Sequence, residues 1–138
     1  MYDVPSWNGD KMYLYSQTGY NLTIRSDSEV LGTTDDNDRD SRLQLLPVGP
    51  SEVRIFGLNS GLYLCFNAQG ELYGEADPNV EATVFIEDFQ GSYNGYRSKV
   101  YPDWYVGIKK SGCIKNGNRA GWGQKAVKFL PRKKSFSD

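Results

Sequence analysis

The residues of this chain that could do chemistry are unevenly placed. Eleven of its sixteen Lys and Arg lie from Arg97 onward, against only Asp103 and Asp138, a local balance of +9. Residues 1–96 hold the other five cations and fifteen carboxylates, a balance of −10, so the net charge of −1 conceals a division. Such asymmetry suggests a polyanion-binding face, although two oppositely charged halves can also neutralise each other in a fold. The densest basic stretch holds Lys109, Lys110, Lys115, Arg119 and Lys125, interleaved with Asn116, Gln124 and the glycines Gly112, Gly117, Gly121 and Gly123. Ammonium, guanidinium and amide donors suit oxygen-rich, multiply charged sulfates. The glycines let the backbone turn and bring its own N–H groups close.

Other chemistries fare worse. There is no histidine, and Cys65 and Cys113 lack CxxC spacing, so a zinc site and a Cys-His nucleophile are excluded and no metal or cofactor is expected. One Cys65–Cys113 disulfide is open on sequence grounds, but an apolar strand and a polar loop are different settings, and two free thiols are expected. Glu87-Asp88 and Asp35-Asp36 are carboxylate pairs. Neighbours on a strand point opposite ways, and an acidic loop run is normally solvated, so no catalytic residue is assigned. No Walker A sequence is present, and the Gly117–Gly123 stretch has neither a preceding Rossmann strand nor a following helix.

The elements that must position the cations repeat. Gly19-Tyr20-Asn21-Leu22-Thr23-Ile24, Gly61-Leu62-Tyr63-Leu64-Cys65-Phe66 and Asp103-Trp104-Tyr105-Val106-Gly107-Ile108 follow one another at offsets of 42 residues. Each alternates apolar and polar positions and leads through four turn-forming residues to a second short segment, which predicts a hairpin. Further strands are expected at 43–46, 83–86 and 126–130, and at 12–15, 53–56 and 96–100. Four strands in each of three repeats make twelve, the all-β β-trefoil. The expected core holds Leu22, Ile24, Leu64, Phe66, Val106 and Ile108. Residues 1–11 and 133–138 are expected to be flexible ends around one domain at 12–132, with 35–40 an exposed acidic loop. Apolar residues are too interspersed to span a bilayer, and nothing at the start reads as a signal peptide.

Five segments then carry a resemblance. Leu14-Tyr15-Ser16-Gln17-Thr18-Gly19-Tyr20, the hairpin from Gly61 to Gly74, Tyr93-Asn94-Gly95-Tyr96, Trp104-Tyr105-Val106-Gly107-Ile108-Lys109-Lys110, and Gly123 through Pro131 resemble the fibroblast growth factors, in order across residues 12–132. The C-terminal third is most similar to the acidic factor, the first strand to other secreted branches. The resemblance implies an extracellular, secreted ligand that binds and dimerises a fibroblast growth factor receptor tyrosine kinase, with heparan sulfate as co-receptor. It implies a monomer that can dimerise on heparan sulfate, with no nucleic acid partner and no membrane insertion. Heparan sulfate contacts would fall on Gln17, Thr18, Lys109, Lys110, Lys115, Asn116, Arg119, Gln124 and Lys125. Receptor contacts would fall on Tyr15, Thr34, Glu87, Tyr93, Asn94, Leu130 and Arg132. Three departures stand out: Asn116 replaces a common basic residue, Thr34 a common arginine, and Arg132 a usually apolar residue, which would dilute the apolar patch.

Asn21-Leu22-Thr23 is an N-glycosylation sequon, and Asn21 is expected to face outward because Leu22 faces in. Two alternatives compete with the signalling ligand. One is an intracellular, non-signalling relative. The other is a carbohydrate-binding trefoil lectin, which would carry a repeated Gln-x-Trp that this chain lacks.

Overall fold

A computed structural model describes residues 11–133. Ten strands are present: β1 Lys11–Ser16, β2 Asn21–Ile24, β3 Val30–Thr33, β4 Leu43–Gly49, β5 Glu52–Gly57, β6 Tyr63–Phe66, β7 Leu72–Glu75, β8 Val84–Gln90, β9 Tyr93–Ser98 and β10 Phe129–Lys133. Adjacent strands run in the order β1-β10-β9-β8-β5, and β4 pairs with both β5 and β1. Six strands therefore close on themselves, leaving no open edge in the barrel. The hairpins β2-β3 and β6-β7 extend from it. The expected terminal segments lie outside the described residues, except that Lys11 begins β1 and Lys133 ends β10.

Twelve strands were expected. The third hairpin exists, but its own ladder is reduced to the isolated bridge Ile108↔Ile114, and the bridge Arg97↔Tyr105 joins it to β9. Its turn matches the other two: Arg25, Asn67 and Lys109 donate backbone N–H to the carbonyls of Glu29, Glu71 and Cys113 at 2.8, 2.9 and 2.8 Å. The hairpins are also tied in a ring. Gly74 N–H donates to the Ser28 carbonyl, Gly117 N–H to Gly70, and Gly32 N–H to Gly112, each at 2.8 Å. The three acceptors lie 42 residues apart and share a left-handed backbone, with φ of 81°, 79° and 89°. Two of them are glycine, the residue for which that conformation costs least. This ring is the pseudo-threefold of the β-trefoil.

Period-two alternation places the core as expected. Leu22, Ile24, Leu64, Val106 and Ile108 are fully buried and Phe66 nearly so, packed with Leu14, Leu43, Ile55, Phe85 and Phe129. Three-residue 3₁₀ turns at Arg39–Ser41, Glu81–Thr83, Gly117–Arg119 and Lys125–Val127 replace part of the predicted strand at 126–130.

Alternation fails on β2, where all four residues are buried. The 35–40 loop is exposed at Asp35, Asp36, Asn37 and Arg39, as expected, yet it also reaches back over the outer side of this strand. Asn21 Nδ2 donates to Asp36 Oδ1 at 2.9 Å, and Tyr13 Oη donates to the Asp36 carbonyl at 2.9 Å. Arg25 pairs with Asp38 at 2.8 Å and Asp40 at 3.0 Å, contacts that raise the guanidinium's pKa further. Asn21 is thus 1% exposed, contrary to the outward placement expected of a glycosylation site. Both thiols are free; Cys65 is buried, which pushes its pKa up, and Cys113 is exposed.

Candidate binding faces

The first turn docks on the third repeat and brings Gln17 and Thr18 against the basic stretch. Thr18 Oγ1 donates to the Ile108 carbonyl at 2.9 Å, Gln17 N–H to the Lys128 carbonyl at 2.8 Å, and Tyr20 Oη to the Lys110 carbonyl at 2.8 Å. Gln17, Lys109, Lys110, Arg119, Gln124 and Lys125 are exposed, and Thr18 and Lys115 half-buried. Lys115 Nζ donates to Gln124 Oε1 at 2.8 Å while Gln124 Nε2 donates to the Arg119 carbonyl at 3.2 Å, bracing the loop from within. Among the described residues none of the five cations at 109, 110, 115, 119 and 125 makes an ion pair, whereas Arg25, Arg97 and Lys99 all do.

Asn116 and two of the loop glycines have other work. Asn116 Nδ2 donates to the Gln69 carbonyl at 2.9 Å and its Oδ1 accepts from Asn118 N–H at 3.1 Å, so the amide clamps the central turn to the basic loop. The backbone N–H groups of Gly112 and Gly117 are held by Lys109 and Gly70 carbonyls. At Gly117 a Cβ would lie 2.8 Å from Trp104, so this glycine answers to close packing rather than to a ligand.

Sequence reasoning missed the post behind this loop. Trp122 stacks on Tyr105 with centroids 5.7 Å apart, and a Cβ on Gly95 would come within 2.0 Å of its ring. The indole therefore rests on bare β9 backbone beside Asn94. Burial, then the nearby Asp88 carboxylate, raises the Tyr105 pKa.

The second face follows the strand order β3-β2-β1-β10-β9. Register aligns Thr33 with Asn21, Asn21 with Tyr15, and Tyr15 with Leu130, while Phe129 faces Asn94. Thr34 follows at the exposed end of that row. Arg132 lies over the Tyr15 ring, its guanidinium carbon 5.0 Å from the centroid. Glu87 is 7% exposed, and its Oε2 accepts from Tyr96 Oη at 2.7 Å and Asn94 Nδ2 at 3.3 Å. Burial, reinforced by that carboxylate, raises the Tyr96 pKa well above its ordinary value. Tyr93 is half-buried. Phe89, unassigned from sequence, is 68% exposed beside a cavity of about 340 Å³ lined by Met12, Leu45, Glu87, Asn94 and Pro131.

Comparison with known proteins agrees with the fold. The fibroblast growth factor family model matches residues 10–130. The chain is 40% identical to fibroblast growth factor 1 of Xenopus laevis over 131 residues, covering 93% of this chain and 84% of that protein. It is 42% identical to fibroblast growth factor 1 of Notophthalmus viridescens over 124 residues, covering 88% and 93% respectively. A third relative, fibroblast growth factor 1 of Cynops pyrrhogaster, is 40% identical over 124 residues, covering 88% of this chain and 83% of that protein. With a 42-residue repeat closed into a β-trefoil and a family match across nearly all of it, the chain belongs to the fibroblast growth factor family, whose members are signalling growth factors and not enzymes.

Proposed function

We propose that this growth factor acts outside the cell, holding heparan sulfate on the Lys109–Lys125 face and a fibroblast growth factor receptor ectodomain on the Tyr15–Leu130 face, so that two receptors are brought together. The observation that carries the reading is the set of five cations within residues 109–125 that, among the described residues, make no ion pair with a carboxylate. Intramolecular pairing would have consumed such charges; left open, they suit a polysulfated chain. Asn116 contributes by fixing the loop rather than by donating to sulfate. Tyr15, Leu130, Tyr93 and Asn94 supply the aromatic, aliphatic and amide groups that protein interfaces use.

Binding to immobilised heparin should weaken steeply with salt, because displaced counterions drive it. Replacing Lys109, Lys115 and Lys125 together by alanine should move elution to much lower salt while the thermal midpoint holds. An unchanged elution position would put the polyanion elsewhere. Should the protein bind no receptor ectodomain of this class, the Thr34 and Arg132 departures would favour an intracellular, non-signalling relative.

A further inference from the structure

Arg132 is placed differently from the other half-buried arginines of known partner. Arg25 meets Asp38 and Asp40, Arg97 meets Asp88 at 2.9 Å, and Arg54 Nε donates to Thr83 Oγ1 at 3.1 Å. Arg132 meets an aromatic face. Its register partner on β1 is Tyr13, and it reaches diagonally to lie over the Tyr15 ring. Among the described residues its side chain makes no hydrogen bond or ion pair beyond that contact. Glu87, the buried carboxylate of the same region, is turned toward Tyr96 and Asn94.

A guanidinium stacked on a ring engages its flat side and leaves its N–H donors at the edge. Stacking also restricts the side chain in advance, so less freedom is lost when the donors find an acceptor. The acceptor that fits two parallel N–H groups is a planar carboxylate. Leu130 and Pro131 are half-buried beside it, and the largely exposed Phe89 lines a cavity with Pro131, which makes the surroundings those of a protein contact with an apolar centre.

We propose that Arg132 is a specificity-determining residue of this face, seated on Tyr15 to receive a carboxylate of the partner protein in a bidentate pair. The proposal rests on reading the Tyr15–Leu130 face as the receptor-binding face. It makes Arg132 a selector for partners with an acidic residue opposite, rather than a dilution of an apolar patch.

The test is surface-immobilised soluble receptor ectodomain, titrated with the parent, Arg132→Leu, Arg132→Lys and Tyr15→Ala at low and physiological salt. Arg132→Leu should bind about ten- to a hundredfold more weakly, the range for losing a hydrogen bond to a charged group. Its on-rate should also respond less to salt. Arg132→Lys keeps the charge without the fork, and its affinity should fall between. Heparin elution should be the same for Arg132→Leu as for the parent. If Arg132→Leu matches the parent in affinity and salt response while Tyr15→Ala loses binding, the role of Arg132 is refuted and the face stands. If Tyr15→Ala also binds normally, the face itself is misassigned. A drop in heparin elution for Arg132→Leu comparable to that of the lysine variants would give Arg132 to the polyanion and overturn the proposal.

Discussion

At the scale of single residues, burial decides what two polar groups can do. Asn21 Nδ2, the atom a glycan would occupy, is spent on Asp36, and Thr23 of the same sequon is fully buried with Oγ1 donating to the Asn21 carbonyl at 3.0 Å. The folded domain is therefore expected to be a poor substrate for glycosylation. A chain modified before folding would be unable to lay the 35–40 loop over β2. Expressed through a secretory host, the fraction retained by heparin and melting cooperatively should carry no mass at Asn21; a glycan found there on folded protein would refute this. Tyr96 offers a pH test. Its folded pKa is raised, mainly by burial and next by Glu87. The neutral phenol is thus the form the fold favours, and its contribution is complete below the unfolded value of about 10 and is lost as pH climbs above it. Stability should fall above about pH 10. Tyr96→Phe should lessen that fall, and cost about 1–3 kcal/mol at neutral pH because buried Glu87 loses its shortest donor. Equal alkaline slopes in chemical denaturation of the two proteins would show that Tyr96 is not the group responsible. The inward Leu22 and Ile24 were readable from alternation. Asn21 was not, because alternation presumes that the other side meets water, and only the tertiary course of the 35–40 loop removes that water.

At the scale of elements, the third hairpin was legible from its 42-residue offset, and its turn bond from Lys109 to Cys113 reproduces the other two. Its continuous strands were not borne out, since a single bridge survives within it and another joins it to β9. The gathering of cations was equally legible because it lies within one sequence stretch. What holds them was not: Asn116 is 47 residues from Gln69, and Trp122 finds Gly95 across a strand. That last contact is open to test. Gly95→Ala introduces a Cβ 2.0 Å from the Trp122 ring, so the indole must leave Tyr105. The substitution should destabilise the domain by about 1–3 kcal/mol, as overpacking does. It should also shift tryptophan emission and lower heparin elution by loosening the 119–125 loop. In a Trp122→Ala background the same glycine change should be nearly neutral, since the obstructed ring is gone. Additive costs in this double-mutant cycle would show that the two residues are uncoupled.

At the scale of the whole molecule, a closed six-stranded barrel and a ring of inter-hairpin hydrogen bonds place two chemically different surfaces on one framework. One carries unpaired cations; the other aligns Tyr15, Leu130 and Asn94 across adjacent strands. If heparan sulfate and receptor occupy those surfaces, cooperation between them requires no change in ligand shape. A polysulfated chain that grips both ligand and receptor makes their association effectively intramolecular and raises the local concentration. Two variants should separate tethering from contact. Tyr15→Ala removes an interface anchor and the seat of Arg132, and should weaken receptor binding at every heparin concentration while heparin elution stays at the parent position. Lys115→Glu combined with Lys125→Glu should leave heparin-free receptor binding near the parent value and abolish its enhancement, because charge is reversed on the polyanion face alone. A titration of heparin over immobilised receptor ectodomain reads both. Parallel loss of direct binding and enhancement in the lysine variant would mean that one surface serves both partners. Retained enhancement in that variant would mean that the chain is tethered through other cations, and would remove the 109–125 loop from the mechanism.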